Sequence, residues 1–183
     1  MVANALAAGI RHIDTSENYA NSADIGRALL ASSVPRDELF LASKLSFASS
    51  YTREGAERVL GEELSKLGTD YLDLLMLHSP GGGASAWKDA WRALESFVRA
   101  GRVRAIGVSN FNLAQLTELR NFAEIAPATL QNKFSPYHPG SLHNARGEDY
   151  VAFCKTNHIA LVAYSPLNAW PSALAAVTHA HVT

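Results

Sequence analysis

Cysteine, excess charge and long apolar runs are all scarce in this sequence. Cys154 is the only cysteine among 183 residues. No internal disulfide can form, and no cage of thiolates can hold a metal. A reducing compartment, the cytoplasm, is the location expected of such a chain. Sixteen Lys and Arg stand against seventeen Asp and Glu, a formal net charge of -1. That balance supplies no field to draw nucleic acid or an anionic membrane, and no block of like charge reads as a tail. The first ten residues, MVANALAAGI, are apolar but have no basic stretch before them, and Arg11 ends the run. Nothing approaches the roughly 20 apolar residues that a membrane helix needs. Neither nucleic acid nor a membrane is therefore an expected partner, and the oligomeric state is not legible.

What is present is ordinary for one globular domain: 48% hydrophobic and 18% charged residues, enough for a sizeable core. Short runs rich in Leu, Ile and Val recur at Arg11–Thr15, Leu39–Lys44, Tyr71–His78, Val103–Val108, Ala128–Lys133 and Ile159–Tyr164. Such runs suit strands buried on both faces, as in a parallel sheet. Stretches with helical spacing lie between them. Ala56, Val59, Leu60, Leu64 and Leu67 form one stripe after Thr52, closed by Gly68, a good residue for a helix end. Trp87, Trp91, Leu94 and Val98 form another that stops at Gly101, and Asn112 with Gln115 resembles a capping box opening a third helix through Phe122. The strand spacing of about 25 to 32 residues is that of a βα unit. Six such units fit, as an open doubly wound sheet or as a barrel. The open sheet favours a Gly-rich phosphate loop after its first strand. None is present, and Gly81–Gly83 follows a later strand without matching that fingerprint.

Polar residues cluster at the C-terminal ends of these runs: Asp14, Lys44, His78, Ser109 with Asn110, Gln131 with Asn132, and Tyr164 with Ser165. In a (β/α) barrel that end is the face where substrates bind. Four of the residues near it suit one chemistry. Reducing a carbonyl requires a proton donor at its oxygen while hydride reaches its carbon. A tyrosine serves if a nearby cation lowers its pKa from about 10. An ammonium group held by a carboxylate is such a cation, and an imidazole can orient the oxygen. Asp14, Tyr19, Lys44 and His78 supply these groups.

Five segments, taken in order, resemble the aldo-keto reductase family. They are Arg11–Tyr19 continuing to Gly26–Leu29, Leu41–Lys44, Tyr71–Pro80, Gly101–Phe111, and Gln131–Asn132 followed by Ala163–Leu167. The resemblance implies an α/β fold of the (β/α)8 TIM-barrel type with about six of the eight βα units present. Residues 1–183 would then form a single incomplete barrel domain. It also implies an oxidoreductase that reduces an aldehyde or ketone, a small-molecule carbonyl substrate, with NADP(H). By the same resemblance Tyr19 is the general acid, Lys44 lowers its pKa while paired with Asp14, and His78 orients the carbonyl. Ser109, Asn110 and Gln131 would hold the nicotinamide carboxamide, Tyr164 would stack on the ring, and Ser165 and Leu167 would approach the pyrophosphate.

Taken singly, each of these residues has a plainer reading: Asp14 as a helix cap, Tyr19 as a loop aromatic, Lys44 as a solvated strand end, His78 as a turn residue. Joint spacing favours the catalytic set. His12 shares a strand face with Asp14 and so invites a metal reading, but few further ligands exist and Lys44 would repel a cation. No metal is expected. Where the family often has Gly-Asn after its tyrosine, this chain has Ala20–Asn21–Ser22, and Asn21 is the residue expected to tolerate left-handed backbone. The chain opens in what resembles the first helix, and no Lys-Ser…Arg run for an adenosine 2′-phosphate can be quoted from it. A truncated, non-catalytic barrel remnant that binds a partner chain is the alternative expectation.

Overall fold

The computed structural model describes residues 1–81, 86–135, 138–139 and 149–166. Along the chain lie α1 (Val2–Ala7), β1 (His12–Asp14), α2 (Ser22–Leu30), β2 (Phe40–Leu45), α3 (Arg53–Leu67), β3 (Leu72–Leu77) and α4 (Ala86–Arg99). There follow β4 (Val103–Ser109), α5 (Leu113–Phe122), β5 (Thr129–Ser135), β6 (His138–Pro139), α6 (Tyr150–Thr156) and β7 (Ala160–Tyr164). Leu167 and the rest of the chain to residue 183 lie outside the described residues.

All six expected strands form. Five pair side by side in the order β1-β2-β3-β4-β5, and β7 pairs β5, every pair parallel. Space therefore follows sequence, with no point at which the strand order reverses. A doubly wound sheet has such a point, so the architecture is barrel-type. One element was not legible: β6, two residues antiparallel to β5. Short strand runs also extend through single ladder bonds. Phe40 N–H donates to Arg11 O at 2.9 Å and Thr15 N–H to Ala42 O at 2.9 Å, covering the span expected for the first strand.

The helices end where their residues require. Thr52 caps α3 by accepting from Gly55 N–H at 3.0 Å, and Gly68 closes it at φ 68°. Asn112 and Gln115 make the reciprocal capping box of α5. Apolar residues on the outer face of the strands, among them Leu41, Leu45, Leu75, Leu77, Ile106, Val108 and Leu130, form one core with Leu60, Leu64, Trp87, Trp91 and Leu94 of the helices. A second, smaller cluster of Ala42, Leu74 and Met76 with Ala105 lines the inner face. Alternation along each strand carries that inner face on to Lys44, His78 and Ser109. At Gly107 a Cβ would stand 2.1 Å from Thr129 Oγ1, so glycine there lets β4 and β5 approach.

The sheet is strongly curled. Asp14 at the end of β1 accepts a hydrogen bond from Gln131 Nε2 on β5 at 2.7 Å. Four strand spacings separate them along the sheet, about 19 Å if it were flat. Among the described residues, no helix is long and apolar enough to cross a membrane.

Two glycines make the packing testable with one kind of substitution. At Gly26 a Cβ would lie 2.0 Å from Lys66 O, whereas nothing lies within 4 Å of one at Gly61 in mid-α3. Urea unfolding should show Gly26→Ala destabilised by about 1–3 kcal/mol, because α2 and α3 must separate. Gly61→Ala should gain about 0.5–1 kcal/mol. Equal effects would mean the helices do not pack as described.

Candidate active site

Asp14 ends β1, Lys44 lies one residue before the end of β2, and His78 follows β3. Tyr19 closes a 3-10 turn, Glu17–Tyr19, carried by the loop after β1. The curl brings all four together. Asp14 Oδ1 pairs with the Lys44 ammonium group, which also donates to Thr15 O at 3.0 Å. Lys44 Nζ lies 5.2 Å from the centre of the Tyr19 ring, and that ring meets His78 edge-on at 5.7 Å between centroids. Lys44 is 1% exposed and Tyr19 46%, so the cation is sealed in while the phenol faces outward.

Burial of the ammonium group lowers the Lys44 pKa, against the pull of Asp14. Burial lowers that of His78 as well, aided by Lys44 and opposed by Asp14 and Glu17. The expected depression of Tyr19 is not what this geometry produces. Burial, then the charges of Asp14 and Tyr164, push its pKa above the ordinary value. The physical reason is that partial burial of the phenol, with the negative charge of Asp14 nearby, disfavours the tyrosinate. Tyr19 therefore holds its proton throughout the neutral range.

The other expected site residues join the same network. Ser109 Oγ donates to Gln131 O at 2.6 Å, and Gln131 Nε2 donates to Asp14. Asn110 Nδ2 donates to His78 O at 2.9 Å, while its Oδ1 accepts from Tyr164 OH at 2.8 Å. Ser165 follows Tyr164 directly at the end of β7. Asn132, on the opposite face of β5 from Gln131, turns outward and donates to Phe111 O at 3.0 Å. Among the described residues no three His, Cys, Asp or Glu are grouped so as to hold a metal ion, and the His12 ring packs at 4.6 Å from that of Phe40. Positive φ at non-glycine positions falls largely on this rim, at Ala20 (53°), Asn110 (61°) and Ser165 (49°), where strain of this kind tends to gather. Ala20, not Asn21, takes the left-handed turn after Tyr19, since Asn21 is needed for the start of α2 and accepts from Thr15 Oγ1 at 2.6 Å.

Several polar contacts here have no counterpart in the sequence reading. Ser46 Oγ lies 2.7 Å and Ser16 Oγ 3.2 Å from His78 Nδ1, leaving Nε2 as the imidazole nitrogen for a substrate. Ser16 and Ser46 also donate to Asn18 Oδ1, at 2.7 and 3.0 Å. Glu17 binds the loop after β2. The available signal was position: each lies within three residues of Tyr19 or Lys44. A hollow of about 470 Å³ lies elsewhere, between α2 and α3. Its cations Arg27, Arg36 and Lys66 are already paired with Asp24, Asp73 and Glu62, so it presents no free charge to a ligand.

Residues 1–173 match the family model described as the aldo/keto reductase family. The NAD/NADP-dependent indole-3-acetaldehyde reductase of Schizosaccharomyces pombe is 38% identical over 170 residues, which cover 91% of this chain and 57% of that protein. The crystal structure of an aldo/keto reductase from Brucella melitensis superposes with a TM-score of 0.84 at 35% identity, covering 91% of this chain and 62% of the other. A Bombyx mori aldo-keto reductase in complex with NADP gives 0.79 at 33% identity, over 90% of this chain and 54% of the other. The chain thus spans little more than half the length of these relatives.

The electrostatics predict a pH response with a definite sign. With its pKa held below the ordinary 6.5, His78 is neutral in the folded protein where the unfolded chain already takes up a proton. Its contribution to stability is whole above about pH 6.5 and is lost as pH falls through the folded value. Ring resonances of His78 should titrate below 6.5 by NMR, and His78→Gln should remove that part of the acid destabilisation. A midpoint above 6.5 would refute the arrangement.

Proposed function

The chain belongs to the aldo/keto reductase family, and from that premise we propose that it reduces an aldehyde or ketone carbonyl with NADPH, Tyr19 delivering the proton. The observation that carries this reading is the convergence of Tyr19, His78 and the Lys44–Asp14 pair on one end of the curled sheet. A half-exposed phenol stands there beside a sealed ammonium group. A general acid must hold its proton until the reaction claims it. As the phenol gives the proton up, the tyrosinate that forms is stabilised by Lys44, and Asp14 keeps that ammonium in place. Neutral His78 presents Nε2 to the substrate oxygen and orients it.

The donor set beside these groups fits a nicotinamide cofactor. Carboxamides and a hydroxyl from Asn110, Gln131 and Ser109 suit the nicotinamide carboxamide, and Tyr164, pinned through its hydroxyl, offers a ring of fixed orientation. Ser165 would lie toward the pyrophosphate. When bound, NADPH supplies the hydride. A cytoplasmic location is part of this proposal, supported by a sequence whose single cysteine can form no internal disulfide.

A second reading has one observation in its favour. Among the described residues β1 and β7 each pair with a single neighbour, so the arc has two open edges of the kind that recruit further strands. On this reading the chain is a non-catalytic barrel remnant completed by another chain.

One experiment separates the two. The protein is purified and assayed for NADPH-dependent reduction of an aromatic aldehyde, and Tyr19→Phe is compared with wild type. The catalytic reading expects wild-type turnover, a fall in kcat of at least about 10²- to 10⁴-fold in the variant, and NADPH affinity little altered. A wild-type chain that folds, binds no NADPH and turns nothing over would favour the remnant.

A further inference from the structure

Glu17 belongs to none of the groups assigned above, yet both oxygens of its carboxylate are engaged beside them. It lies two residues before Tyr19, in the same 3-10 turn. The hydrogen bonds it accepts come from the segment after β2, which begins at Ser46, two residues past Lys44. Oε1 accepts from the backbone N–H of Ser46 and, at 2.8 Å, from that of Phe47. Oε2 accepts from Ser50 Oγ at 2.8 Å. One carboxylate therefore ties the turn that carries Tyr19 to the segment that leaves the Lys44 strand. Ser46 completes the link, because its hydroxyl lies 2.7 Å from His78 Nδ1.

We propose that Glu17 is a positioning residue for the reaction assigned above: it clamps the Tyr19 turn to the Ser46–Ser50 loop, and so holds the proton donor and the histidine at a fixed separation. The proposal rests on that functional reading for its catalytic consequence, but the clamp itself is a statement about geometry. Three features support it. The Tyr19 turn is short and ends in strained backbone at Ala20, φ 53°, so it needs an external tie to keep one conformation. Tyr19 is 46% exposed and gains little fixing from packing. The loop that Glu17 grips is itself firm, since Ser50 is buried and Gly55 leaves no room between α3 and Ser49, where a Cβ would stand 1.9 Å from Ser49 O. A loose turn tied to a firm loop is held by whatever ties it.

The substitutions separate geometry from charge. In Glu17→Gln the side-chain oxygen still accepts from Ser46 and Phe47, and the amide donates to a rotated Ser50 hydroxyl, so all three bonds survive without the charge. Glu17→Ala removes all three, and Ser50→Ala removes one while leaving both loops' backbones tied. Aldehyde reduction, NADPH affinity by fluorescence, and the NMR resonances of the Tyr19 and His78 rings are measured for each. Because misplacement of a catalytic group by about 1 Å costs about 100-fold, kcat in Glu17→Ala should fall about 10- to 100-fold. The Kd for NADPH should move less than about threefold, the scale of a site left otherwise intact. Glu17→Gln should recover most of the loss. Both ring signals should shift or broaden in Glu17→Ala and return in Glu17→Gln. If wild type turns nothing over, the functional reading fails and the ring signals alone judge the clamp. Unmoved Tyr19 and His78 signals in Glu17→Ala would overturn it, as would a Glu17→Gln variant as impaired as Glu17→Ala. Should Glu17→Ala fail to fold, Glu17→Asp, one methylene too short to reach Ser46, Phe47 and Ser50 together, takes its place, and wild-type signals and kcat there would overturn the clamp equally.

Discussion

Asp14 has two carboxylate oxygens and spends them on opposite sides of the arc. One neutralises Lys44 from the neighbouring strand; the other accepts from Gln131, four strands along the sheet. Lys44 is 1% exposed, and an ammonium group taken out of water without a partner is costly enough to shed its proton or its place. The carboxylate lets the charge stay. Its second bond is possible only because the sheet curls, and it in turn restrains the curl. The position of Tyr19 over Lys44, the edge-on approach of His78, and the run from Gln131 through Ser109 and Asn110 to Tyr164 all depend on that closure.

The two ends of the strands use their charges differently. Near the start, Asp73 accepts from Leu41 N–H at 2.9 Å and is bound by Arg36 and Arg104 at 2.8 and 2.9 Å. Those two guanidinium groups lie 3.8 and 4.2 Å from the centre of the Tyr71 ring. Both oxygens of Asp73 are therefore matched, which suits a structural tie. Buried Glu63 is likewise satisfied by Ser22 and Ser43 at 2.9 and 2.7 Å, joining α2 and β2 to α3. At the other end the matching is incomplete by comparison. Tyr19 lies half in water, and His78 keeps one ring nitrogen clear of the serines. Barrel proteins commonly divide stability and chemistry between their two faces in this way, and here the division follows which polar groups still have capacity for a ligand.

Repetition made the architecture readable from the sequence. Buried parallel strands read as short continuous apolar runs, and helices as stripes with recognisable ends; Thr52, Gly68, Asn112 and Gln115 each act where local chemistry says they should. Six strands could be placed because each is a local pattern, and sequential order with polar ends pointed to a barrel. β6 escaped because two residues carry no period, and α2 because its small residues and exposed Leu30 make no stripe. Asp14, Tyr19, Lys44 and His78 were identifiable as a set because each ends or follows a strand, which a linear reading can locate.

What joins those ends could not be read the same way. A sequence states which side chains sit at the C-terminal rim, and that determined the residues of the candidate site. It does not state distances across the arc, because curvature sums small twists over several strands. Only the tertiary structure decided that Asp14 reaches Gln131, that its other oxygen pairs with Lys44, and that burial beside Asp14 raises rather than lowers the pKa of Tyr19. The roles of Glu17, Ser16 and Ser46 are of the same kind. They arise where two loops from different βα units meet, and the energy of a hydrogen bond depends on that meeting rather than on the spacing of residues along the chain.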